Sequence, residues 1–245
     1  VKQMVLAMKK HSVILCCLGL CSLYLSCACA AERDSVRRSD LFGFGAVSVS
    51  DGIETVVSSG VDGVTVVAGR GMMSLLKIEV DGDTLKIGVR QRPEGGMTSR
   101  RKERATVYVP RKEYRSFTVA DGAALRLPED YRADILRIGA ASGGNVRGGL
   151  HCTALILSAS SGSTVRLEGV CDSLVTEAVG GAQVRCEALQ AGNVACRAAS
   201  GALVRVYASR GIDVTASGGA RVVYDGGGEA HRVAVRSGAS LKRKE

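Results

Sequence analysis

The C-terminal half of the chain is six tandem copies of one short pattern, and this repeat closes off most folds. The copies open at Leu136 (LRIGAASGGNVRGGLHCTA), Leu155 (LILSASSGSTVRLEGVCDS), Leu174 (LVTEAVGGAQVRCEALQAGN), Val194 (VACRAASGALVRVYASRG), Ile212 (IDVTASGGARVVYDGGGEAHR) and Val233 (VAVRSGASLKRKE, truncated). Successive openings lie 19, 19, 20, 18 and 21 residues apart. A near-constant short period marks a solenoid, in which each unit buries its apolar face only against the next.

The interior of one copy says which solenoid. Apolar or small residues alternate at offsets 0, +2 and +4 (Leu155, Leu157, Ala159) and again at +10 and +12 (Val165, Leu167). That is strand periodicity twice per repeat. Between the two runs stand tiny residues, such as Ser161-Gly162-Ser163 and Gly180-Gly181-Ala182, which permit a tight reversal. Each unit therefore reads strand, tight turn, strand, looser turn. Stacked units predict an all-β fold, a two-sheet parallel β-solenoid or flattened right-handed β-helix, since parallel crossovers take that hand. Helical repeats fail because no copy offers a sustained 3.6-residue pattern and glycine interrupts every one. The array is expected to span residues 136–241.

Upstream, residues 42–130 read as β without the repeat. Alternation runs through Val47/Val49, Val64/Val66, Leu76/Ile78/Val80, Leu85/Ile87/Val89, Val107/Val109 and Phe117/Val119. Asp81-Gly82-Asp83 is a hairpin signal, and Pro110 and Pro128 fall where strands should end. No linker separates this part from the array, so it is expected to extend and cap it, covering an otherwise adhesive sheet edge. Residues 42–245 then form a single domain, and residues 31–41 read as a linker. At the far end Lys242-Arg243-Lys244-Glu245 makes a charged stop.

The first 30 residues belong to export rather than to the fold. Lys9 and Lys10 precede a 13-residue apolar run, Val13 to Leu25, too short to span a bilayer. Ala28-Cys29-Ala30 then forms a signal-peptide cleavage site. A second reading stays open: Leu25-Ser26-Cys27-Ala28 resembles a lipoprotein signal that ends before Cys27, which would carry the lipid. Both readings place the mature chain in the periplasm, on the outer membrane or at the cell surface. Without residues 1–30, which carry three lysines and no acid, the formal charge is +6. No helix-turn-helix, zinc-finger or aromatic RNA-binding signature accompanies it, so nucleic acid is not an expected partner. Aromatic residues are 4% of the chain, which suits a thin core and disfavours stacking platforms for sugars or bases.

Three stretches carry a resemblance to a known family. FGFGAVSVSDGIETVVSSG opens the domain, IEVDGDTLKIGV forms its central hairpin, and Ser-Gly turns recur to the terminal SGASLKRK. In these the chain resembles the bacterial "putative auto-transporter adhesin, head GIN domain" proteins, common in the Bacteroidetes, over about residues 42–241. The resemblance implies an exported two-sheet β-helix with the outline of a pectin lyase but none of its catalytic residues. It carries over no site residue. Several GSG turns of the family stand here as GGA, SGA or SGS, which leaves the turn intact.

Candidate sites follow from the register. Arg147, Arg166, Arg185 and Arg205 all fall at offset +11, facing outward in four successive rungs. Stacked about 4.8 Å apart, such charges repel by about 0.8 kcal/mol per neighbouring pair in water. Glu168, Glu187 and Asp225 at offset +13 offer compensation, giving a solvated Arg/Glu lattice. The alternative is a groove for an anionic polymer such as a phosphorylated or uronic-acid glycan. Cys152 and Cys171 share offset +16 in adjacent rungs, a Cα spacing that permits a disulfide in an oxidising compartment. Cys186 and Cys196 point inward from opposite sheets and are expected as buried thiols. RQRPEGGMTSRRKER, residues 90–104, reads as a long basic loop.

No catalytic, cofactor or metal set emerges. His151 and His231 do not recur and neither neighbours an activated nucleophile by pattern. Acids are spaced singly, unlike the clusters of a pectate-lyase-like polysaccharide enzyme. Two function classes remain. One is a non-catalytic adhesion or ligand-binding module with a glycan or surface-protein partner. The other is a structural envelope protein that self-associates. Membrane contact is expected only through a lipid anchor.

Overall fold

The structure, a computed structural model, describes residues 33–90 and 105–244. The leader with Cys27 and most of the basic loop lie outside the described residues. In chain order the N-terminal half gives β1 (Arg33–Arg38), β2 (Ala46–Val49), β3 (Glu54–Ser58), β4 (Val64–Gly69), a one-turn helix α1 (Arg70–Met73), β5 (Leu76–Asp81) and β6 (Thr84–Val89). There follow β7 (Thr106–Pro110), β8 (Ser116–Val119), β9 (Ala124–Arg126) and β10 (Tyr131–Ala140). The array supplies the long strands β11 (Asn145–Ala159), β12 (Thr164–Ala178), β13 (Gln183–Ala198) and β14 (Leu203–Ala216), then β15 (Arg221–Asp225), β16 (Glu229–Val235) and β17 (Ser240–Arg243).

Two parallel stacks result, as the repeat requires. In the first, β6, β2, β8 and β10 pair in that order and continue through the C-terminal halves of β11–β14 to β16. In the second, β7, β3 and β9 continue through the N-terminal halves of β11–β14 to β15 and β17. The core lies between them. One column of it runs Leu85, Val47, Phe117, Ile138, Leu157, Thr176, Cys196 and Val214 in register, all buried.

The tight turns are a column of their own. Ser142-Gly143, Ser161-Gly162 and Ser200-Gly201 place both residues at positive φ, and Gly180-Gly181 and Gly218-Gly219 do the same without a β-carbon. Serine at φ near 50° is strained locally, and the turns persist because each is bonded to the next. Gly143 N donates to Ser161 O at 3.1 Å, Gly162 N to Gly180 O at 3.0 Å and Gly181 N to Ser200 O at 3.0 Å.

Four features depart from the sequence reading. First, the looser turn is no interruption: β12 runs through it, bending at Gly169, where an added Cβ would stand 2.1 Å from Leu150 O. Second, the N-terminal half holds rungs of the same solenoid, stacked out of chain order. β2 and β3 lie between the later β6/β7 and β8/β9, and their turn Asp51-Gly52 joins the turn column through Gly52 N to Asp121 O at 3.0 Å. The antiparallel β4 on β7 and β5 on β6 then close this end, so only these strands act as a cap. Third, residues 33–38 of the expected linker form β1, which pairs with β4. Fourth, the last copy is out of step. Ala230, not Val233, sits beside Ile212, and Val233 stacks on Val214. One partner residue faces two here, so His231 is absorbed as a bulge.

An aromatic cluster in the N-terminal half fills the core where small residues would leave it hollow. Phe44, Tyr114, Phe117 and Tyr131 follow one another with centroids 6.0, 5.2 and 6.1 Å apart. Their phenols are satisfied: Tyr131 OH accepts from Tyr114 N at 2.8 Å and donates to Lys112 O at 2.9 Å, and Tyr114 OH donates to Pro110 O at 2.8 Å. Burial pushes the Tyr131 phenol up to about 12 and Tyr114 higher still.

Candidate functional site

The outward side chains of the second stack bring the predicted arginines into one line. Arg147 pairs in register with Arg166, Arg166 with Arg185 and Arg185 with Arg205. The line extends one rung further than the sequence reading took it, because Arg126 pairs with Arg147. Beyond Arg205 come Val223 and Lys242. A signal for Arg126 was available. Each arginine stands five residues after the first residue of its turn pair, as Arg166 does after Ser161 and Arg126 after Asp121. Alignment on the turns finds it, whereas alignment on the opening leucine starts one rung too late.

The expected Arg/Glu lattice does not form. Among the described residues, Glu168 and Glu187 make no ion pair, and Asp225 is turned to Lys244 at 3.5 Å. The physical reason is a register shift after Arg166. Glu168 sits between Gly149 and Ala188 rather than beside Glu187, so the acids do not stack into a column next to the arginines. The carboxylate that serves the ladder comes from β3. Glu54 lies 2.6 Å from Arg126 and 3.8 Å from Arg147.

The two ends of the ladder therefore differ. Its lower part is partly neutralised. Above it, Arg166, Arg185 and Arg205 have no carboxylate within ion-pair distance among the described residues. Arg185 donates to Gln183 Oε1 at 2.8 Å, while its own Nε is buried without a partner. A shallow cleft of about 350 Å³ opens along the lower rungs, lined by Arg126, Arg147, Arg166, Glu129 and Glu168. What this face can do is hold anionic groups through several guanidinium forks at the rung spacing.

The cysteines lie elsewhere. Cys152 and Cys171 are register partners at the narrow edge, in a column continued by Ala133 below and by Ala191 and Ala208 above. Both are thiols here rather than a disulfide. A hydrogen bond from Cys171 lowers the Cys152 thiol and, together with burial, raises that of Cys171. Cys186 and Cys196 are buried thiols pushed up to about 12 by desolvation. His151 is exposed while Cys152 beside it turns toward the core, as alternation along a strand requires. Among the described residues no group of three or more His, Cys, Asp or Glu side chains converges on a metal position.

Comparison with known proteins agrees with this architecture. Residues 43–228 match the family described as "Putative auto-transporter adhesin, head GIN domain". No curated protein matches the chain. Among solved structures, a putative adhesin from Bacteroides fragilis is similar with a TM-score of 0.78 at 15% identity, over 88% of this chain and 98% of that one. A putative adhesin from Parabacteroides distasonis has a TM-score of 0.65 at 13% identity, with the same two coverages. A putative lipid binding protein from the same species has 0.65 at 17%, over 87% and 96%. At these identities the likeness is one of fold.

Proposed function

The chain belongs to the putative auto-transporter adhesin, head GIN domain family, and from that premise we propose that it is an exported, non-catalytic binding module of the bacterial envelope. Its ligand is an anionic polymer, in the first instance a phosphorylated or uronic-acid glycan, held along the arginine ladder. One observation carries this reading: five arginines stand in register, and three of them have no carboxylate to answer them. A ladder kept only for solubility would be expected to acquire acids in the flanking column, where the register instead displaces them. The adhesin descriptions of the structural neighbours favour a binding role over catalysis. The leader at residues 1–30 favours export.

The test is binding of the full chain to polygalacturonate, with neutral dextran as the control. Because affinity comes from several charge contacts, raising salt from about 50 to about 200 mM should weaken it by about tenfold or more. Arg166→Ala with Arg185→Ala should remove most of the binding without unfolding the array, both side chains being on its outer surface. Unchanged binding after the double substitution refutes the reading. A relative described as a putative lipid binding protein makes vesicles with an anionic headgroup a useful second probe. Binding to vesicles but not to polygalacturonate would move the ligand from glycan to lipid.

A further inference from the structure

The outer face of the first stack is chemically unlike the ladder face. Three large apolar side chains are exposed there: Ile135 at 47%, Ile156 at 37% and Val175 at 47%. Ile156, Val175 and Ala195 are consecutive register partners, and Ile135 and Ala154 pair in the column beside them. Arg137 precedes Ile156 in the same column, and Asp213 follows Ala195. One column further along the strands, Glu177 pairs in register with Arg197. Among the described residues the side chains of Arg137, Glu177 and Arg197 have no hydrogen-bond or ion-pair partner, and the Asp213 carboxylate accepts only from the backbone N–H of Arg232 at 3.2 Å. Many of the other outward residues are small, among them Ala46, Ser48, Ser116, Thr118 and Ser158, with Lys86 beside Ser48.

We propose that this face binds a second copy of the same chain, face to face, with the rungs of the two copies running in opposite order. The order of the column Arg137, Ile156, Val175, Ala195, Asp213 argues for it. A two-fold axis along the strand direction at Val175 lays Val175 on its counterpart and Ile156 on the second copy's Ala195, large against small. The same axis lays Arg137 on the second copy's Asp213, twice per dimer. Glu177 comes to the axis itself, one rung from the second copy's Arg197, which offsets its approach to the other Glu177. The alternative axis, along the solenoid, would set Arg137 on Arg137 and Asp213 on Asp213. The charges therefore select one arrangement.

Size sets the expected strength. From Ser116 to Arg232 the column spans seven residues, about 29 Å at the strand spacing, on a face about 17 Å wide. That is roughly 500 Å² per copy, below the ~800 Å² of a standard stable interface. A dimer forming at micromolar to tens of micromolar concentration fits this area. It leaves both arginine ladders outward, so the assembly is independent of the polymer-binding reading and would double its valency.

Sedimentation velocity and light scattering on the full chain decide it. The native chain should show a concentration-dependent dimer. Val175→Glu should leave only monomer with an unchanged circular dichroism spectrum, since the side chain is exposed. Arg137→Asp alone should weaken the dimer by at least tenfold, and Arg137→Asp with Asp213→Arg should restore it. Arg166→Ala with Arg185→Ala should leave it intact. A monomer at all concentrations, a dimer indifferent to Val175→Glu, or a double exchange no better than the single one each overturns the proposal. Monomers that bind vesicles through this face would assign it to a membrane instead.

Discussion

Replacing Thr176 by valine is expected to stabilise the protein. Thr176 lies in the buried column between Leu157 and Cys196 and is 1% exposed. Its Oγ1 has no partner among the described residues. A buried hydroxyl without a hydrogen bond costs about 1–3 kcal/mol relative to its hydrated state, whereas valine fills nearly the same volume with no polar atom. The column is otherwise apolar, so Thr176→Val should gain about 1–2 kcal/mol. For a domain of this size each kcal/mol moves the melting temperature by about 2–4 °C, giving a rise of about 2–8 °C in a thermal melt. Thr55 presents the same case in the second stack, buried with Oγ1 unpaired between Val107 and Leu125. The two gains should add, because the sites lie in different stacks and several rungs apart. Thr176→Ser keeps the hydroxyl and loses the methyl, so it should melt below the native protein. A Thr176→Val protein that melts at or below the native one would refute the assignment of an unpaired hydroxyl.

Three further outcomes follow from the same register. Leu157→Asp sets an unpaired carboxylate in the buried column and should abolish folding of the array, whereas Arg166→Ser, nine residues on but outward, should shift stability by under about 1 kcal/mol; thermal melts compare them. Thiol–disulfide exchange with an added disulfide oxidant should convert Cys152 and Cys171 into one disulfide, reducing the oxidant to its thiol form and leaving Cys186 and Cys196 free; alkylation and mass spectrometry that find all four of these thiols still free after oxidation would contradict this. Cys186, Cys196 and Tyr131 are all pushed up to about 12 by burial, from ordinary values of 9.0 and 10.0. The folded state thus holds protons that the unfolded chain releases, so stability should be level below about pH 8.5 and fall as pH rises past the unfolded thiol and then phenol values. Urea midpoints between pH 7 and 11 measure it, and Tyr131→Phe should make the fall above about pH 10 less steep, with Cys186, Cys196 and Tyr114 supplying the rest.

Much of the array was legible because its side chains obey one local rule repeated at a fixed period. Leu157 and Val165 are inward and Arg166 outward for the same reason in every copy, so a register read from the sequence places them without coordinates. The reading slipped where the period did. The last copy opens at Ala230 rather than Val233, with a one-residue bulge at His231 that sets Val233 beside Val214, and the shift after Arg166 removed the acidic column that Glu168 and Glu187 suggested. Arg126 was missed because its rung has a different opening, although its turn, Asp121-Gly122, is of the same kind. The face around Val175 is not legible in the sequence either, since three exposed apolar residues in separate copies become a patch only once the copies are stacked.

The sequence alone determined the solenoid, the parallel pairing within the array and the identity of the inward columns. These rest on alternation and on turn residues, which act within one repeat. Only the tertiary structure decided the order of the N-terminal rungs, where β2 and β3 slot between strands that follow them in the chain. It also decided which carboxylate answers which arginine. Glu54 reaches Arg126 from 72 residues away, while Glu168, two residues from Arg166, does not pair with it. Strand pairing between distant segments is set by the sum of their contacts across the core, and no local pattern encodes that sum. Charge pairing in turn depends on ångström-scale register, which a single bulge resets.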